Sequence, residues 1–288
     1  MQTKNIIPLS LILAAIITMT AAVHYWITSD VYLFQRVIGC DWRLYIQPAG
    51  AALLHGQSPF TIPGFYNPPW LLLLTFPLSL IPVAWSVALI VALNFSAWTY
   101  TALRLGVSGL LVIPLVIFSG AGENSIKGNI DGLLSLALFL PPWAGILIMM
   151  IKPQIGLPVV IFYGLSVLLD GSTVWERITS WRKLIAPFML AFGVSILMYG
   201  NWLIQSAGAA AQPWNSAPWP LAIVIGLFLI WQAVQRRDVR WALIAIPFVT
   251  PYLTGDSWAL ATVAAVGIGY VDHINLLDKI PVEDIIRL

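Results

Sequence analysis

Cys40-Asp41-Trp42-Arg43-Leu44-Tyr45 leads into Ala49-Gly50-Ala51-Ala52-Leu53-Leu54-His55-Gly56-Gln57-Ser58-Pro59-Phe60 and on to Tyr66-Asn67-Pro68-Pro69-Trp70. This polar, turn-rich stretch follows an apolar run from Ile6 to about Ile27 and ends where the next apolar run begins. What surrounds it sets its meaning. The chain has 288 residues, 59% of them hydrophobic and 9% charged, with 14 Trp. Soluble domains carry roughly 25% charged residues, so the composition is that of an integral membrane protein. In such a chain, a polar residue kept near the bilayer is there for a reason.

Composition also excludes several classes. A net charge of +2 with no basic cluster argues against nucleic-acid binding. Cys40 is the single cysteine, so no intrachain disulfide forms. His24, His55 and His273 share no spacing that would make a metal site, and no cofactor motif occurs. The first apolar run is long enough to cross ~30 Å of hydrocarbon. It reads as an uncleaved anchor, because further apolar runs follow at once.

Those runs lie at about 69–80, 83–103, 107–119, 129–142, 144–151, 155–169, 184–204, 220–234, 241–254 and 258–271. Few alternate or show a polar face, so they predict helices. The expected fold is all-α: one domain over 1–288, a polytopic bundle of about ten spans, with an outer loop at 29–67. Arg177, Arg182 and Lys183 mark one cytoplasmic loop (170–183), and Arg236, Arg237 and Arg240 another (235–240). Lys4 puts the amino terminus on the same side of a cell membrane. Parity then requires one run not to cross. The piece 69–80, between Pro68-Pro69 and Ile81-Pro82, is the natural half-inserted helix.

This assignment gathers the isolated polar residues on the outer face. Asp41 has the setting of a general base, a carboxylate beside a partly apolar pocket; its alternative role is a solvated acid paired with Arg43. Lys152, in Met150-Ile151-Lys152-Pro153-Gln154, is either a cation for a lipid phosphate or a snorkelling residue at a helix end. Asn129 and Asp131 are ordinary helix-start residues. Asp41 and Lys152 are expected to face one outer cavity.

Taken in order, these motifs resemble the first outer loop of membrane glycosyltransferases with the GT-C fold. The nearest likeness is to polyprenyl-phosphate-mannose-dependent mannosyltransferases. The likeness extends to Gly128-Asn129-Ile130-Asp131-Gly132, Lys152-Pro153-Gln154 and Thr250-Pro251-Tyr252 with Asp256. It implies a sugar, mannose or related, moved with inversion from a polyprenyl-phosphate donor to a lipid or glycan hydroxyl. Asp41 would be the base, and Lys152 and Arg43 would hold the donor phosphate. Tyr45, His55, Tyr66, Asn129, Asp131 and Asp256 would contact substrate. No metal or cofactor is called for. The chain is short for that family, and its 205–219 segment carries no charge. The second reading is therefore a non-catalytic membrane subunit of a larger complex.

Overall fold

The computed structural model describes residues 9–170, 173–200, 202–208, 215, 217–254 and 258–270. Asp256, Lys4 and His273 lie outside the described residues. The described chain is helical throughout, and no strand occurs in it. In order, the α-helices are α1 (Leu9–Ser29), α2 (Val31–Arg36), α3 (Gln47–Leu54), α4 (Leu71–Ser79), α5 (Val83–Arg104), α6 (Gly109–Phe118), α7 (Gly120–Ile126), α8 (Asp131–Ser135) and α9 (Pro142–Met149). They continue with α10 (Pro153–Leu169), α11 (Val174–Tyr199), α12 (Trp202–Ala207), α13 (Ile223–Arg236), α14 (Val239–Ile244), α15 (Ile246–Val249) and α16 (Ala259–Tyr270). A π-helical turn, Trp42–Ile46, leads into α3.

The expected ten spans are not found among the described residues. Among the described residues, two helices are both long and apolar enough to cross a membrane, α5 with 22 residues and α11 with 26. At 1.5 Å per residue these reach about 33 and 39 Å. The pair α6 and α7 makes a third crossing only if its 63° bend is one broken span. The physical reason is punctuation. Pro141 and Pro142 close off the run 129–142, which breaks into α8 and a short 3₁₀ turn. Ser119 adopts an extended conformation that separates α6 from α7. The nine residues of α4 extend about 14 Å, under half the hydrocarbon thickness. Most of the apolar runs are helices too short to cross a membrane, and the many-span GT-C bundle is set aside. Two membrane-length apolar helices make the chain an integral, multi-pass membrane protein.

The stretch 174–183 is also not a loop. Thr173 and Glu176 form a capping box, Thr173 accepting from the Glu176 backbone N–H while the Glu176 carboxylate accepts from Thr173. This starts α11 at Val174, so Arg177, Arg182 and Lys183 lie within its first three turns.

The helix α5 is the spine of the fold. Its first half, with Val87, Ala88, Ile90 and Val91, belongs to a core that includes Ile27, Trp42, Trp70, Ile130, Ile151 and Trp202. Its second half, with Trp98, Ala102 and the following Leu105, belongs to a core built from α10, α13, α14 and α16. Helix α1 lies along α5, with His24 stacked on Trp85 at 3.7 Å, so the two run in opposite directions. Asn94, fully buried in α5, donates to the Ile90 carbonyl at 3.0 Å. Its side-chain oxygen accepts from the Leu133 backbone N–H at 3.3 Å, tying α8 to the spine. Asn94→Ala leaves that N–H unpaired in the core. It is expected to cost about 1–3 kcal/mol, read as a lower midpoint of denaturant unfolding in detergent micelles.

Candidate functional site

Asp41, Asn129, Asp131 and Lys152 each sit next to a fully buried apolar anchor. Trp42 follows Asp41, Ile130 lies between Asn129 and Asp131, and Ile151 precedes Lys152. All three anchors belong to the core around the first half of α5. That shared core is what draws distant stretches of chain together.

Behind Asp41 the contact is made by backbone. Gly39 N–H donates to the Ile126 carbonyl at 2.7 Å, and Asp41 N–H to the Lys127 carbonyl at 2.9 Å. Two glycines make this approach possible. Gly39 and Gly128 both have positive φ, at 67° and 71°. A β-carbon on Gly39 would lie 2.3 Å from Val87 Cγ1, and one on Gly128 would lie 3.0 Å from Trp42 Cβ. The Trp42 indole N–H donates to Ser86 Oγ at 3.0 Å, which fixes the π-helical turn against α5. Single π turns occur frequently at functional sites.

The half-buried Asp41 carboxylate faces a small group of weak acids. The Cys40 thiol lies 3.7 Å from Asp41 Oδ1. Burial and then the charge of Asp41 push that thiol up to about 11. The Tyr45 phenol is likewise raised, first by burial and then by Asp41, Cys40 and Tyr66. Tyr45 packs its ring on Gly64, where a β-carbon would come within 2.5 Å. Ser206 donates to the Tyr66 carbonyl at 2.7 Å, tying α12 to the 55–66 loop. Asp41, Tyr45 and Tyr66 therefore lie near one another. Lys127, whose carbonyl accepts from Asp41 N–H, is ion-paired with Glu123 at 2.6 Å.

On the other side of the 127–130 turn lies a buried ion pair between Lys152 and Asp131. Lys152 also donates to Asn129 Oδ1, and Asn124 donates to Asp131 Oδ2 at 3.0 Å. The pair joins two helix breaks, one before α8 and one between α9 and α10. Asp131 is favourably placed in the first turn of α8, and Lys152 lies just past the carbonyl end of α9, where a cation is favoured. As the residue preceding α10, however, Lys152 also meets that helix's positive end, an unfavourable position that Asp131 offsets.

Other expected site residues lie elsewhere. The Arg43 guanidinium sits 5.0 Å from the centre of the Phe34 ring and donates to the Phe34 carbonyl, engaging α2. His55 is exposed, its Nδ1 2.7 Å from the Ala51 carbonyl at the end of α3. Asn94, Asn124 and Lys127 were not singled out. Asn94 had one signal, the amide in an otherwise apolar run. Among the described residues no group of three or more His, Cys, Asp or Glu side chains is arranged to hold a metal ion.

No family model matches the sequence, and no curated protein or solved structure matches it significantly. With two or three membrane-length helices among the described residues in place of about ten, the likeness to GT-C mannosyltransferases does not hold. The hexosyltransferase activity, the polyprenyl-phosphate sugar donor and the lipid or glycan acceptor rested on that architecture and fall with it. So does the companion reading as a non-catalytic subunit related to that family.

Two outcomes follow from the geometry. Lys152→Met strands the Asp131 carboxylate in the core and is expected to cost about 3–5 kcal/mol. Adding Asp131→Asn, which still accepts from Asn124, should restore most of it, as measured by unfolding in detergent. At pH 7.4, iodoacetamide should alkylate Cys40 about two orders of magnitude more slowly than a solvated thiol of pKa ~8.5. Asp41→Asn removes the nearby charge, lowers the thiol pKa and should speed that reaction.

Proposed function

We propose that the protein is a membrane-embedded binding protein whose recess at Asp41, Tyr45 and Tyr66 takes a small hydrogen-bond donor, an ammonium or hydroxyl group. The observation that carries this reading is the half-buried Asp41 carboxylate, whose field reaches the Tyr45 phenol and whose backbone is clamped to the 126–127 turn. An acceptor-rich recess favours donors, whereas an anion would meet the like charge of Asp41. In this reading the Lys152–Asp131 pair fixes the wall of the recess and takes no ligand.

The reading includes an orientation in the cell membrane, with the amino terminus cytoplasmic. The opposed directions of α1 and α5 support it, since they put the Leu9 end of α1 beside the Arg104 end of α5. Arg240 reaches the Leu105 carbonyl at 3.5 Å, so Arg236, Arg237 and Arg240 share that end, as the positive-inside rule asks. The recess lies near Val87 to Asn94, about 6–16 Å along α5 from its other end.

Purified protein in detergent, heated with ethanolamine, glycerol or inorganic phosphate, tests the reading. Ethanolamine or glycerol should raise the unfolding temperature. Asp41→Asn should weaken that binding about 10- to 100-fold, the value of a hydrogen bond to a charged group, and Arg104→Gln should leave it unchanged. Stabilisation by phosphate alone, or an Asp41→Asn variant that responds like the parent, would overturn it.

A further inference from the structure

A groove lies between the carboxyl end of α10 and the first half of α11. It encloses about 600 Å³ and is lined chiefly by Leu168, Arg177, Trp181, Arg182, Ile185 and Met189. Arg177, Trp181, Ile185 and Met189 recur every four residues, so they form one stripe along α11. A cation heads the stripe and its remainder is apolar. Arg182 lies on the neighbouring stripe, one turn further in.

Three observations say what covers it. First, α11 is a membrane-length helix with only 11% of its apolar window buried in the protein, against 50% for α5, so lipid faces most of it. Second, its cationic end bears Trp175, 78% exposed, and Trp181; tryptophan at the end of such a helix marks the headgroup level. Third, Arg177 Nε is buried and has no hydrogen-bond partner among the described residues. Nearby, the Glu176 carboxylate is taken up by the Thr173 cap, and Asp170 ends α10. Against these two acids stand Arg177, Arg182 and Lys183.

We infer that this groove is a binding site for one anionic phospholipid. Its phosphate sits between Arg177 and Arg182 beside the amino-terminal turn of α11, and one acyl chain runs along Trp181, Ile185 and Met189. A guanidinium meets phosphate with two parallel N–H donors. The dipole at a helix amino terminus adds to the attraction for an anion. A zwitterionic lipid offers the same chains, but its own cation opposes the arginines.

The test uses full-length protein stripped of lipid in detergent and titrated with phosphatidylglycerol or phosphatidylcholine, with bound lipid counted by native mass spectrometry. One phosphatidylglycerol should bind, with clear preference over phosphatidylcholine. Arg177→Gln with Arg182→Gln should weaken it about tenfold or more, the loss of charged hydrogen bonds, and leave phosphatidylcholine unaffected. Met189→Trp keeps both arginines and fills the apolar end, so it should weaken phosphatidylglycerol as well. Equal binding of the two lipids, or retention in the arginine pair variant, would overturn the proposal. So would full binding by Met189→Trp or displacement of the lipid by millimolar inorganic phosphate, either of which reduces the site to a surface charge.

Discussion

The Lys152–Asp131 ion pair holds together a part of the molecule where helices stop. Unwound backbone exposes polar groups, and in a membrane protein such backbone survives only where protein or trapped water covers it. Here one break precedes α8 and another separates α9 from α10, and the pair spans the two. Asn124 and Asn129 add hydrogen bonds to it. Burying two charges is costly, and the attraction between them repays it only when the remaining lone pairs and protons are also satisfied. That condition fixes the 124–131 segment, which in turn fixes Asp41 through its backbone and Trp42 through Gly128. The recess inherits its shape from a contact that does not line it.

A second constraint is the close approach of the 39–47 segment to α5. Only residues without side chains permit it at Gly39 and Gly128. The Trp42 indole then fills the space beside them and finds Ser86 as its acceptor. The site is a lamination of backbone on backbone, with the functional side chains projecting from its edge. This explains why a half-buried carboxylate, a thiol and two phenols share so small a region without a dedicated domain to hold them.

Much of this was legible in the sequence. Composition gave the membrane class, and the pattern gave helices, with α5 expected at 83–103 and found at Val83–Arg104. Asn129, Asp131 and Lys152 were singled out as isolated polar residues, and they meet in one network. The number of spans was not legible. An apolar run of about a dozen residues shows that something apolar must cover it and is silent on whether lipid or protein does. The beginning of α11 was hidden by its three cations, which suggested a loop, although Thr173-x-x-Glu176 carries the signature of a helix start. Motif order pointed to a family because loose motifs of Asp, Tyr, Asn and Pro recur wherever a polar turn meets an apolar helix.

The shortness of α4, α8 and α9 bears on how the protein is made. A helix the length of α4, α8 or α9 cannot enter a bilayer alone, because its ends would leave backbone N–H and C=O groups in hydrocarbon. The long α5 and α11 have no such handicap. The shorter helices gain access by folding onto surfaces that long helices present, α1 with its 21 residues among them. Such pieces are solvated by protein before they meet lipid.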